Sequence, residues 1–100
     1  MTEYLIATSV LETIVRGAIV GEARYRLHGG LSLVRAHAAE VSVHDESCKV
    51  VVHLDARIGE SLKGIAAEVR KKVGDALSQM TGLSIGSVDV VFSGVFSAAS

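Results

Sequence analysis

The sequence predicts a small α+β domain in which two helices pack on one face of a mostly antiparallel sheet. Apolar and polar residues alternate along 48–58, and apolar residues recur at helical spacing near 9–23 and 60–80. In chain order, the predicted elements are strand, helix, strand, strand, helix and strand, which is the split β-α-β pattern. A chain of 100 residues has room for one domain, expected to span 1–100 with a core at about 4–96 and a flexible tail at 97–100.

The front half carries the first strand and the first helix. Residues 3–7 fit a short strand or an arm, and without that strand a three-stranded α+β sheet remains. The helix is predicted over about 9–23, where Ser9 and Glu12 have the spacing of a capping box. Residues 25–33, which include Gly29-Gly30, are predicted as a connection. The apolar stripe of the helix comprises Val10, Leu11, Ile14, Val15, Ala18 and Ile19.

The two middle strands have a register that follows from their alternation. Pairing Val43 with Cys48 places the apolar residues of both strands on one face and leaves a four-residue loop at 44–47. Cys48 is expected to face the helices and His53 the open side of the sheet, so the two side chains cannot form a catalytic pair. The open face is predicted to carry Glu40, Ser42, Lys49, Val51, His53, Asp55, Arg57, Asp89 and Val91.

The back half predicts a second helix over about 60–80 and a last strand. Gly82 stands where a left-handed residue ends the helix. In the last strand Val88, Val90 and Phe92 are expected to face the helices, and the residues between them to face outward. The stripe of the second helix comprises Leu62, Ile65, Ala66, Val69, Val73, Ala76, Leu77 and Met80.

Composition excludes several classes of protein. The formal net charge is -1, from 10 Lys and Arg against 11 Asp and Glu, so there is no surplus of cations for phosphate binding. A single cysteine cannot form an internal disulfide, and no apolar run approaches the roughly 20 residues of a membrane-spanning helix. The N-terminal residues lack the pattern of a signal peptide, and we expect a cytoplasmic protein.

The motifs that suggest catalysis or metal binding lack the neighbouring elements or the spacing which that chemistry needs. The spacing G-x-S-x-G occurs at 82–86, but a nucleophile elbow needs a strand followed by a helix, and here the order is reversed. His28, His37, His44 and His53 lack metal-ligand spacing. We therefore predict no catalytic residue, no cofactor and no metal site.

A few apolar and small residues remain outside the predicted core. Gly17 and Gly21 form a G-x-x-x-G step, which permits close approach of another backbone. The basic run at 70–72 is interpreted as a solvated helix face, with Glu68 and Lys72 paired at i,i+4. The candidate interface comprises Gly17, Val20, Gly21, Val51, Val91, Val95 and Phe96.

The second half of the chain resembles the alkaline-shock-protein family of small, mostly bacterial proteins of the cell-envelope stress response. The resemblance rests on Ile58-Gly59, on Met80-Thr81-Gly82-Leu83 at the end of the second helix, and on the valine-rich strand that ends at Gly94-Val95. The front half is compatible with the family, although the usual aromatic residue before Gly59 is Ile58 here. The motif residues are Gly59, Met80, Thr81, Gly82 and Gly94.

The resemblance implies a non-enzymatic protein. Members of the family collect at the inner face of the cell membrane through a small membrane-anchored partner, and some self-associate. We therefore expect a cytoplasmic homo-oligomer, peripheral at the inner face of the membrane, that docks to a membrane-anchored protein and binds no nucleic acid. A small nucleic-acid-binding α+β module is the alternative, although its open sheet face would lack the aromatic residues on which bases stack.

Overall fold

A computed structural model of the chain describes residues 8–28 and 38–97. The α+β class is confirmed. The order of the described elements differs from the prediction in one respect: three strands, not two, lie between the helices, because Tyr25–Leu27 forms a strand. The predicted strand at 3–7 and the Gly29-Gly30 step lie outside the described residues. The elements are α1 (Thr8–Ile19), β1 (Tyr25–Leu27), β2 (Ala39–His44), β3 (Ser47–Arg57), α2 (Leu62–Thr81) and β4 (Ser84–Phe96).

The four strands form one mixed sheet with β3 at its centre. β4 pairs with β3 in parallel along its whole length, and α2 makes the crossover between them. On the other edge of β3, the strands β2 and β1 lie end to end and both pair antiparallel. Two of the three strand pairings are thus antiparallel, and the third is the long parallel one.

The hairpin confirms the predicted register and corrects the predicted loop. Val43 pairs with Cys48, but His44 also pairs with Ser47, so the turn has two residues instead of four. Asp45 and Glu46 have φ values of 49° and 66°. Positive φ at both central residues is the requirement of a type I′ turn, whose twist matches that of the flanking strands.

Both helices cover the same face of the sheet. The β3 residues with even numbers, from Cys48 to Ala56, are at most 1% exposed beneath them. On each helix a row of buried residues advances in steps of four, at Leu11, Val15 and Ile19 on α1 and from Ile65 to Thr81 on α2, where Ala66 is buried beside the row. Three residues of the predicted stripes fall beside these narrow rows and are exposed instead: Val10, Leu62 and Met80.

The ends of α1 differ from the prediction. Ser9 lies inside the helix, which begins at Thr8, so the predicted capping box is wrong; the Ser9 carbonyl accepts a hydrogen bond from the Thr13 hydroxyl. The helix ends at Ile19, and Gly21, with a φ of 89°, reverses the chain soon afterwards. Tyr25–Leu27, predicted as part of a connection, forms β1.

The ends of α2 have defined caps. The Ser61 hydroxyl accepts a hydrogen bond from the backbone N–H of Gly64 at 3.1 Å, which satisfies one of the first free amides of the helix. Gly82 has a φ of 74° and donates its N–H to the Ser78 carbonyl, as the sequence predicts. Because β4 starts at Ser84, two residues after this cap, the G-x-S-x-G spacing lies at a helix-to-strand turn.

Candidate interaction surfaces

The longest strand edge without a pairing strand, among the described residues, is the outer edge of β4. Among residues 8–28 and 38–97, no strand pairs with the edge of β4 that faces away from β3. The strand has 13 residues, of which only Asp89 is charged. An unpaired edge exposes backbone N–H and C=O groups that can pair with another strand, and natural proteins usually protect such edges with charges, prolines or short length.

Two bulges divide β4 and explain its glycines. The register with β3 shifts by one residue between Cys48 and Lys49 and again between Leu54 and Asp55. A Cβ atom on Gly86 would lie 2.8 Å from Ser47 Oγ, and one on Gly94 would lie 2.7 Å from Asp55 Oδ1. A side chain at either position would therefore force the neighbouring Ser47 or Asp55 side chain to shift. The stretch 87–92 between the bulges pairs regularly with β3.

The helical side of β4 is only partly covered. Val88, Val90 and Phe92 pack against the core but are half-buried, whereas the corresponding residues of β3 are fully buried. Arg70 of α2 reaches this strand, and its Nε donates to the Val88 carbonyl at 3.2 Å. Apolar side chains near the sheet edge thus remain partly open to solvent.

The open face of the sheet carries a polar cluster near its β1 end. His28 Nδ1 donates to Asp55 Oδ1 at 2.7 Å, and Arg26 Nε lies 3.8 Å from Asp55 Oδ2. The Arg26 guanidinium also stacks over the Phe96 ring, 4.2 Å from its centroid. Phe96, a candidate interface residue, is therefore half-buried and engaged within the subunit.

A second row of polar side chains crosses the open face. His53 Nδ1 lies 3.4 Å from Ser93 Oγ, and His53 Nε2 lies 3.6 Å from Glu40 Oε2. These separations exceed the 2.6–3.2 Å of a proton-transfer pair, so the row is better described as loose surface contacts. The hairpin register predicts that Glu40 and His53 are diagonal neighbours, but Ser93 joins them only through the β4 pairing and its bulge.

A cavity of about 1040 Å³ lies beside α1 and β1. Three candidate interface residues, Gly17, Val20 and Gly21, line its wall, and the His28–Asp55 pair reaches its rim. Val20 is 79% exposed, the largest exposure among the large apolar side chains of the described residues.

No protein-family model matches the chain, and no curated protein or solved structure shows significant similarity to it.

The remaining candidates lie on β3 and β4. Val51 is half-buried on the open face, and Val91 is 40% exposed beside His53. Val95 of β4 pairs with Ala56 of β3 and is 67% exposed. The seven candidates therefore divide between the cavity beside α1 and the sheet around β4, and they form two surfaces rather than one.

A cluster of ion pairs joins α2 to the segment 22–25, and two of its members, Glu22 and Tyr25, line the cavity. Glu68 of α2 accepts hydrogen bonds from Arg24 Nη2 at 2.5 Å and from the Tyr25 hydroxyl at 3.0 Å, while Lys72 donates to that hydroxyl at 2.9 Å. Arg24, with Lys72 and Tyr25, lowers the pKa of Glu68 from 4.5 to about 2. Arg24 also lowers the pKa of Glu22 to about 2. The predicted Glu68–Lys72 pair is confirmed at 3.1 Å, but the sequence did not show that it joins residues that follow α1.

The motif residues have structural explanations within the subunit. Gly59 has a φ of 96° in the turn before α2, and the buried Thr81 hydroxyl donates to the Leu77 carbonyl and accepts from the Leu83 N–H. Met80 is 71% exposed.

Burial raises the pKa of the Cys48 thiol, which faces the helices as predicted.

No group of three or more His, Cys, Asp or Glu side chains in 8–28 and 38–97 is arranged to hold a metal ion. His37 lies outside these ranges. Neither α1 nor α2 is long and apolar enough to cross a membrane.

Proposed function

We propose that the chain is a non-enzymatic interaction protein of the cell-envelope stress response. It acts by assembling with further copies of itself and by docking to a membrane-anchored protein at the inner face of the membrane. The sequence resemblance described above supports the biological setting. The observation that carries the interaction role is the exposure of apolar side chains on both surfaces, led by Val20 at 79% and Val95 at 67%.

The surface beside α1 suits a protein partner. The cavity has an apolar wall next to Gly17, Val20 and Gly21 and charged groups at its rim. Interfaces of this kind take one or two apolar anchor residues in the cavity and satisfy polar groups around them. We assign this surface to the membrane-anchored partner, and the β4 edge to self-association.

Co-sedimentation with membranes tests the docking role. The native protein is incubated with native membranes, with the same membranes after protease treatment, and with vesicles made from their extracted lipids. We expect it to sediment with the untreated membranes only. Equal sedimentation with the lipid vesicles would contradict a protein partner, and failure to sediment with any sample would contradict membrane docking.

A pair of matched substitutions localises the docking surface. Val20→Glu introduces a charge at the cavity, whereas Val10→Glu introduces the same charge at a half-exposed position of α1 that does not line the cavity. A buried unpaired carboxylate at an interface costs several kcal/mol. We therefore expect Val20→Glu to abolish sedimentation with membranes and Val10→Glu to retain it; equal loss in both variants would contradict the assignment.

A further inference from the structure

We propose that β4 pairs with β4 of a second copy of this chain, antiparallel and centred on Val90, so that the two sheets become one. This inference deepens the proposed function, because it names the partner and the register of the self-associating surface. It rests on three features of the strand: an edge with which no strand of residues 8–28 and 38–97 pairs, the symmetry of its sequence, and its half-buried side chains.

The sequence of β4 reads nearly the same in both directions about Val90. In an antiparallel pair centred there, Val88 faces Phe92, Ser87 faces Ser93, and Ile85 faces Val95 of the other copy. Gly86 and Gly94 also face each other, and each already lies in close contact with a side chain of β3. Apart from Asp89, which faces Val91, and Ser84, which faces Phe96, residues of similar size and polarity meet across the two-fold axis, as suits an interface between identical surfaces.

Neighbouring registers fit less well. A shift by one residue would place side chains of the helical face opposite the open face. A shift by two in one direction brings Asp89 opposite Asp89 of the other copy, and like charges directly opposed are unfavourable. A shift by two in the other direction opposes Val88 to Gly94 and Asp89 to Ser93. In the register centred on Val90, Asp89 faces Val91.

The two-fold axis of this pairing is perpendicular to the sheet, so α1 and α2 of both copies lie on the same side. Val88, Val90 and Phe92, half-buried in one subunit, would then pack against their counterparts in the other. The Arg70 side chain, which bonds the Val88 carbonyl, is exposed and can move aside. The pairing thus completes a core that one subunit leaves partly open.

Charge substitutions on the exposed residues Asp89 and Val91 test the register. Val91→Glu places a carboxylate opposite Asp89 of the other copy twice in each dimer, and Val91→Lys places an ammonium group there. Because each cross-strand charge pair changes stability modestly, we expect the dimer dissociation constants of these variants to differ roughly tenfold, with Val91→Lys tighter. The double variant Asp89→Lys/Val91→Glu restores opposite charges and should recover dimerisation. Sedimentation velocity measures each constant.

Disulfide trapping tests the same register without charge effects. In the proposed pairing the β-carbons of residues 89 and 91 of different copies lie about 5 Å apart, whereas equal positions lie about 7–8 Å apart diagonally. A mixture of Asp89→Cys and Val91→Cys should therefore oxidise mainly to the mixed dimer. Cys48 is 1% exposed and its raised pKa keeps the thiol protonated, so it does not compete.

The outcomes separate this inference from the proposed function. If the native protein assembles but the charge variants behave alike and the mixed disulfide is not favoured, the β4 register is overturned and self-association stands. If the native protein is monomeric and no disulfide dimer forms, both the register and the self-association role are overturned. Docking to the membrane protein is judged separately, by the Val20→Glu comparison.

Discussion

Removing one oxygen atom from Tyr25 tests whether the ion-pair cluster ties α2 to the segment after α1. The ring of Tyr25 is fully buried, and its hydroxyl donates to Glu68 at 3.0 Å and accepts from Lys72 at 2.9 Å. Tyr25→Phe retains the ring and removes both bonds. A hydrogen bond to a charged group contributes about 1.5–3 kcal/mol.

Two such bonds would contribute about 3–6 kcal/mol, and the expected cost of the substitution lies below that sum. Glu68 keeps its bonds to Arg24 and Lys72, and its side chain is 30% exposed, so water replaces part of what is lost. We therefore expect Tyr25→Phe to lower the free energy of unfolding by about 2 kcal/mol. Urea denaturation measures this change, which corresponds to a midpoint lower by roughly 1–2 M for a domain of this size.

A double-mutant cycle assigns the loss to the cluster. Tyr25→Phe, Glu68→Gln and the combination are compared with the native protein, and an interaction free energy of about 1 kcal/mol is expected between the two sites. Tyr25→Ala, which also removes the ring, should cost about 3–5 kcal/mol. A change below about 0.5 kcal/mol for Tyr25→Phe, or additive effects in the cycle, would refute the reasoning.

Two further predictions concern the turn between β2 and β3 and the fall of stability at low pH. Glu46→Gly should stabilise the protein by about 0.5–1 kcal/mol in urea denaturation. Glycine removes the strain of the positive φ at this turn residue, and this gain exceeds the cost of the larger entropy that glycine gives the unfolded chain. The folded pKa values of Glu22 and Glu68 are about 2 against 4.5, so their stabilising contribution is full above pH 4.5 and is lost as the pH falls towards 2. Stability measured across this window should therefore fall with acid, and less steeply in Glu68→Gln.

Simple controls accompany both measurements. Glu46→Ala keeps the left-handed strain and removes only the charge, so it should not reproduce the gain of Glu46→Gly; equal stabilisation would contradict the strain argument. Glu12→Gln removes a carboxylate of α1 that does not belong to the cluster, and it serves as the charge-matched control. A Glu68→Gln variant that loses stability with acid as steeply as the native protein would contradict the assignment to the cluster.

The elements with a clear period were predictable from the sequence. β3 alternates over eleven residues and α2 repeats over twenty, so the burial of one face determines both their type and their orientation. The hairpin register followed from the same alternation, because a slip by one residue would expose the core side chains. Gly82 was recognised as a cap because only glycine adopts its backbone conformation without strain.

Other features depend on contacts that no local pattern records. β1 has three residues, too few for a period, and it is held in the sheet by pairing with β3. The parallel pairing of β3 and β4 cannot be deduced from either strand, since an intervening strand would leave the same sequence pattern. The cluster around Glu68 brings together residues 43 and 44 positions apart. The two-residue turn was missed because Asp45-Glu46 lacks the glycine usual in such turns.

The role of the β4 edge gives the fold a simple functional interpretation. One face of the sheet is covered by helices, while no strand among the described residues pairs with the outer edge of β4; the Val88 carbonyl of this strand accepts from Arg70 Nε. The cavity beside α1 is lined by α1, β1 and the segment between them, together with His28 and with Asp55 of β3, and its lining includes no residue of β4. The two surfaces therefore allow a dimer to dock to a partner without competition between the two interactions.

The mass of the native protein in solution, measured by sedimentation across micromolar concentrations, shows whether two copies of the chain associate. Pairing through β4 predicts a reversible shift from the 10.5 kDa chain to twice that mass as the concentration rises, and a weaker shift in Val91→Glu. A single species of 10.5 kDa at every concentration would contradict it.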